Sequence, residues 1–395
     1  MTGVQTCALP ILANNSTGTY NTSLGYQSLY KNTTGTKNIA IGHQALFTNT
    51  TGNYNVAIGS TAMYNSIGTQ YNTAIGYQAL TNNTSGYANT AIGSYESGVT
   101  GVSAAMVANT TGFRNIAIGT GSLAANTSGS YGVGIGFQAL GSNTTGGTNT
   151  AVGYQSLYSN TTAAAHTAVG YQAAYAATVG PQDAFGYQTL KANTTGASNS
   201  AFGCQALISN TTGSNNIAVG RDALSLNTTA SNNTAVGYQS LYSNTVGGNV
   251  AVGFQSAYSN TSGAYNVAVG TGALYTNSTG PENTAVGYQA LYSDTSGGNT
   301  AVGHKSMFTN VGGYQNTAIG DTSLFLNTSG VGNAALSFNA LYSNTTGSSN
   351  TAVGHSALYS NTTASNNTAV GYQAAYSNTT GSITTAIGYQ ALYTN

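Results

Sequence analysis

Residues 149–162 read NTAVGYQSLYSNTT, and residues 350–363 read NTAVGHSALYSNTT. The string returns along the whole chain, centred on a Gly that follows a small and a branched residue: Gly25, Gly42, Gly59, Gly76 and Gly93, then Gly119 through to Gly388, with Ser337 standing in once. Of the 21 intervals between these 22 positions, 17 are 17 residues long, three are 16 and one is 26. A fixed short period means stacked copies of one supersecondary unit, so the repeat decides the fold before any other feature does. Helical repeats need roughly 33 residues or more, and Asn, Thr, Gly and Ser, which fill much of each copy, favour turns or extended backbone over helix interiors. The expected fold is therefore all-β: a parallel β-solenoid of about 22 coils with a 17-residue period. Each coil is expected to hold two short strands joined by two tight turns.

Counted from the motif Gly as position 0, two columns are expected to carry the core. Position −1 is Ile or Val nearly throughout (Ile41, Ile58, Val152, Val236), and position +4 is Leu or a substitute (Leu46, Leu140, Leu291, Met307). Burying each such side chain contributes roughly 1.5–3 kcal/mol. Ala at −2 and Ala or Ser at +3 let backbones approach closely, across the coil or between subunits. The N-T-T-G segment forms the outer turn, with a Gly at +10 (Gly35, Gly52, Gly146) where a positive φ is expected. Asn at +7 (Asn32, Asn49, Asn160, Asn344) should form a ladder of amides bonding along the stack.

Charged residues make up 3% of the chain, six basic against six acidic, which is too few for the basic face that nucleic acid requires. There is no run of 18 or more apolar residues that would cross a membrane as a helix. The two Cys, Cys7 and Cys204, build neither a disulfide framework nor a metal set. His43, His304 and His355 replace the usual Tyr at +1, and His166 replaces an Asn at −4. The six acidic residues fall in six coils, so no carboxylate pair for acid–base chemistry is visible, and the Asp-per-coil pattern of calcium-binding β-rolls is missing. The expectation is a chain that is not an enzyme, with no cofactor and no metal site.

Tyr is the abundant aromatic, 29 residues with no Trp. One column lies at +1 (Tyr154, Tyr171, Tyr238, Tyr288, Tyr372, Tyr389) and another at +5 (Tyr30, Tyr158, Tyr242, Tyr292). They are expected to form aromatic ladders clamping the coils or lining a subunit interface. The six +1 residues are the candidate surface-binding column, a Tyr/Gln face able to stack on sugars. Thr at −3 (Thr73, Thr150, Thr234, Thr284, Thr351) is a second candidate, for ordering water on ice.

The chain divides into residues 1–11, 12–93, an irregular coil over 94–118, and 119–395. The stretch from Met1 to Ile11 resembles the conceptual translation of a sequencing adapter, and the register places the first genuine repeat at Leu12. The last coil stops at Asn395 with its stack open, as expected for an interior fragment of a longer gene. Nine extra residues fall around Ser97 to Ala108, flanked by Glu96 and Arg114.

The N-T-A-[IV]-G-Y-Q-A motif, across residues 12–395, resembles the head repeats of trimeric autotransporter adhesins, and still more the related repeats of bacteriophage tail fibres and bacterial fibre-like surface proteins. The resemblance implies a left-handed parallel β-roll assembled as a homotrimer. It places Ile41, Val152 and Val236 inside the coil and turns Ala40, Ala151 and Ala235 toward partner chains. It also implies the shaft or head of an extracellular fibre, on a bacterial surface and anchored in the outer membrane by the full-length protein, or on a phage virion, with a host-surface glycan or protein as partner. The period here is longer than in those heads by the added N-T-T-G turn.

Overall fold

The computed structural model describes residues 12–96 and 102–394. The chain is a parallel β-solenoid without helix among the described residues, and its 22 strands recur with the sequence period. It falls into two compact units that divide between Asn199 and Ser200. In the first, β1 (Thr22–Leu24) to β10 (Gln182–Phe185) each pair in parallel with the next. In the second, β11 (Asn199–Phe202) to β22 (Thr385–Ile387) do the same. The register sets every motif position on its own copy, as in Thr351 on Thr368, Ala352 on Ala369 and Val353 on Val370.

Each coil holds one strand where the repeat predicted two. The other side of the coil is a run of turns in which +2 and +4 adopt left-handed backbone, for example Gln44 (φ 53°) and Leu46 (φ 53°). That conformation costs an L-residue roughly 1–2 kcal/mol. Hydrogen bonds between coils hold it in place: Gln44 N donates back to Tyr26 O (2.8 Å), and Leu46 N donates forward to Ala62 O (2.9 Å). The alternating handedness aims successive N–H groups at opposite neighbours, so the turn layer is stitched as fully as the strand layer.

The strand faces the opposite way from the expectation. Ala40, Ala151 and Ala235 at −2 are fully buried, whereas Ile41, Val152 and Val236 at −1 lie on the outer face, half-buried. Thickness is the reason. At Gly134, the one −2 position without a side chain, an added Cβ would sit 2.7 Å from Ser122 Oγ and 3.4 Å from Leu123 Cγ. Ala therefore fills the space between strand and turn layer, and a branched side chain has room only outside. The +4 expectation holds: Leu46, Leu140, Leu291 and Met307 are fully buried.

Two Asn columns complete the core. At +7, Asn49 Nδ2 donates to Asn32 Oδ1 (2.9 Å), and the same bond recurs along the stack, as in Asn344 to Asn327 (2.8 Å). Most of these amides also bond the +10 carbonyl of their own turn, as Asn32 does to Gly35 O (3.0 Å). At −4 a second ladder runs, with Asn55 N donating to Asn38 Oδ1 (3.0 Å) and Asn55 Nδ2 to Thr69 O (2.7 Å). Buried amides satisfied in this way fix the register of every coil. The +10 Gly does not have the positive φ expected of it. At Gly35 a Cβ would meet Gly52 O at 2.5 Å and its own Asn32 Oδ1, while Ala163, Ala230 and Ala364 hold the same position in other coils. The left-handed Gly is instead the motif Gly, with φ 130° at Gly42.

In the 26-residue interval the regular coil breaks off after Tyr95 and is resumed by Ala105. Tyr95 N still bonds Tyr77 O (3.1 Å), and Met106 N bonds Ser122 O (3.0 Å) in the +4 column. The insertion thus ends before Ala105, and 105–108 belong to the regular coil. Residues 1–11, Ser97 and Cys7 lie outside the described residues.

Candidate functional site

The +1 residues stand on the outside just past the strand, because the motif Gly turns the chain away from the outer face. Tyr154, Tyr171, Tyr238, Tyr288 and Tyr372 are exposed to about two-fifths, and Tyr389 in the last coil more so. They are not free-standing rings. Phe137, Tyr154, Tyr171 and Tyr187 form one stack with centroids 5.1–5.3 Å apart and planes within 12°. Tyr238 stacks on Phe254, Tyr288 on His304, and Phe338, His355, Tyr372 and Tyr389 form another run. Inside a run both ring faces are covered, so the column shows solvent its ring edges and phenolic hydroxyls.

The +5 column is longer still. Ten rings from Tyr242 to Tyr393 stack without a gap, centroids 5.0–5.4 Å apart and planes within 15°. Such pairs contribute about 0.5–1.5 kcal/mol each beyond burial. Gln at +2 adds an amide ladder, Gln44 Nε2 donating to Gln27 Oε1 (2.8 Å). Four of the few cations lie against the ladders: Lys31 over Phe47, Lys37 over Tyr54, Arg114 between Tyr87 and Tyr131, and Lys305 between Tyr288 and Phe308.

Positions −3 and −1 share the outer face of the strand. The −3 column is Thr in the majority of coils and Ile or Val in most others, and −1 is aliphatic or Phe in all 22. Ile319 is 43% exposed and Val252 37%, although each has a stacked neighbour on either side. In each unit this leaves an outward row of branched apolar side chains along the sheet.

His304 and Asp321 occupy +1 in consecutive coils and pair at 3.1 Å, half exposed. The pairing was readable from their separation by one period but was not expected. Cys204 is a free, half-buried thiol. Two buried positions break a ladder. His166 at −4 has both ring nitrogens without a partner, and burial drops it to about 4 against a weaker pull upward from Asp183. Asp294 at +7 is raised by burial to about 6, against hydrogen bonds from Ser296, Asn310 and Asn299 that pull it down. No cluster of three or more metal-ligating side chains is present among the described residues. No helix there is long and apolar enough to cross a membrane.

No protein-family model matches the chain, and no curated protein is detectably similar to it.

Proposed function

We propose that this chain is a non-enzymatic structural repeat region, the shaft or head of an extracellular fibre, and that it works as a homotrimer. The observation that carries the reading is the outward row of Ile, Val and Thr at −1 and −3. An apolar stripe of this regularity, repeated in every coil, marks a surface covered by another protein surface, and identical repeats meet identical repeats most simply in a closed symmetric oligomer. Chains with stacked amide and aromatic ladders resist pulling and unfolding, which suits presentation of a terminal domain. The resemblance of the repeat to adhesin heads and phage tail fibres supports both the extracellular setting and the trimer, with the left-handed coil sense those heads have. The orientation differs from theirs as read from the motif: here the branched side chains, rather than Ala40, Ala151 and Ala235, face the partner chains.

Light scattering coupled to size exclusion on residues 12–395 tests this. A mass three times that of the chain supports the reading, and a stable monomer sinks it. A second reading is favoured by the outward Thr at −3: Thr150, Thr234 and Thr351 lie on the exposed strand face beside Val152, Val236 and Val353, where a monomer could order water on ice. Thermal hysteresis from a monomer would select it.

A further inference from the structure

The outer turns are normally closed against each other. The N–H groups of +8, +9 and +10 all donate to one carbonyl of the next coil, as Thr33, Thr34 and Gly35 do to Thr50 O (2.9, 3.1 and 3.2 Å). In the coils of Gly153, Gly220 and Gly270 these bonds are missing where the next coil is one residue short, and one turn departs from the pattern beside a full-length coil. The coil of Gly59 carries Ser66-Ile67-Gly68-Thr69 where its neighbours carry Asn, two polar residues and Gly. It still accepts from the preceding coil, Thr50 N to Ile67 O at 2.8 Å. Toward the following coil, however, the N–H groups of Ile67, Gly68 and Thr69 donate to nothing among the described residues, and Thr84 O accepts nothing. Ser66 and Thr69 are buried with hydroxyls that have no partner.

Two aromatic stacks in neighbouring columns end beside the opening: the residue after Tyr71 in its column, at −5, is Ala88, and the residue before Tyr87 in its column, at −6, is Gln70. Tyr71 stacks on Tyr54 at 5.0 Å, and Tyr87 stacks on Phe113 at 4.8 Å, yet no ring covers the second face of either. Between them lies a cavity of about 220 Å³, lined by Gly68, Thr69, Gln70, Tyr71, Ser85 and Tyr87.

We propose that this cleft binds one neutral sugar ring. Two Tyr flank it and offer apolar faces to the C–H groups of a pyranose. The unused N–H groups of Gly68 and Thr69, the Ser85 hydroxyl and the Gln70 amide meet ring hydroxyls, which both give and accept hydrogen bonds. No charged residue lines it, so nothing there recognises an ionised ligand, and its size is below the ~300 Å³ of pockets for drug-sized molecules. An aromatic side chain would use the rings but leave the polar groups unmet. The proposal goes beyond the fibre reading and does not depend on it, since the cleft lies within one chain and away from the strand face.

Saturation-transfer NMR on the full chain, with glucose, galactose, mannose and N-acetylglucosamine at millimolar concentration, tests it. N-acetylphenylalaninamide serves as the rival ligand. Two variants locate any signal. Tyr71→Ala removes one platform, and the swap Ser66→Asn, Ile67→Thr, Gly68→Thr, Thr69→Gly restores the regular turn and closes the cleft, so it retains the fold by construction. The expected result is transfer to at least one sugar, with binding weakened roughly tenfold or more by Tyr71→Ala, abolished by the swap and kept by Tyr154→Ala. The proposal is overturned by transfer to none of the sugars, by transfer to the aromatic amide alone, or by a sugar signal that survives the swap.

Discussion

Asp294 allows the Asn ladder to be tested at a single atom. In a regular rung the +7 amide nitrogen donates to the rung before it and to its own turn. Asp294 Oδ1 keeps the acceptor half of that pattern, taking hydrogen bonds from Asn310 Nδ2 (2.7 Å) and Ser296 Oγ (2.8 Å). Its Oδ2 is buried with no partner, an acceptor standing where the ladder supplies a donor. Burial disfavours the carboxylate and lifts the group from 3.8 to about 6, and protonation restores a donor at this rung. The folded chain therefore holds a proton that the unfolded chain releases from about pH 4 upward. Stability is fully present below pH 4 and falls as pH rises through 6. The difference corresponds to about 3 kcal/mol at neutral pH and above. Asp294→Asn removes it. In urea denaturation followed by Tyr fluorescence, the variant should exceed the parent by about 3 kcal/mol at pH 8 and by under about 1 kcal/mol at pH 4. Other titrations cancel in that difference. Because solenoids unzip by neighbours, hydrogen exchange in residues 283–316, compared between the two proteins at one pH, should localise the gain. Equal stability of the two at pH 8 would refute the reasoning.

His166 predicts the opposite slope. Its folded value near 4 lies below the 6.5 of a free His, so stability is present above pH 6.5 and is lost as pH falls through 4; His166→Asn should flatten that loss, about 3 kcal/mol in full, in the same denaturation assay, and an unchanged acid limb would contradict it. Ala235→Val should cost about 1–3 kcal/mol by overpacking, whereas Val236→Thr on the outer face should change the stability of the isolated chain by under about 1 kcal/mol; equal costs would undo the inside–outside assignment. Ser337 holds a φ of 117° that every other motif position gives to Gly, so Ser337→Gly should raise the melting midpoint, worth about 1 kcal/mol after the added freedom of the unfolded chain, and a lower midpoint would count against strain there.

How much of this was legible follows from the stacking itself. In a parallel in-register solenoid each residue meets its own copy, so any column that pairs with itself announces itself: Leu with Leu, the +7 Asn with Asn, Tyr with Tyr. The period carried those contacts directly, as it did the unexpected His304–Asp321 pair one period apart. What it could not carry was the distance across the coil. Hydrophobicity alone sends Val236 inward and leaves Ala235 outside, and the alternation of Thr234, Ala235 and Val236 is equally consistent with either face. The choice is made by the turn layer, whose left-handed Gln and Leu residues bring Ser122 and Leu123 so close to the strand that only a methyl group fits. A left-handed Leu has no signature in composition, since the hydrogen bonds that hold it come from neighbouring coils. The second Asn column, at −4, was visible as a repeated residue but not as a ladder, because its amide bonds backbone rather than the next amide alone.

The candidate binding residues turn on the same self-pairing. A ring between two copies of itself has no face left, so Tyr154 and Tyr171 within their stack offer hydroxyls and edges, whatever they touch. A face becomes available only where the periodicity fails. Such failures are costly in this fold, because they leave buried donors and acceptors without the neighbour that every other coil supplies. Ser66 to Thr69 is a failure of that kind, with the unpaired N–H groups, the unpaired hydroxyls and the two uncovered Tyr faces in one place. The other open turns accompany a one-residue shortening of the following coil, which the turn of Ser66 to Thr69 does not have. The turn-restoring swap separates a site from a defect: in a defect it gains stability and loses nothing, and in a site it gains stability and loses the ligand.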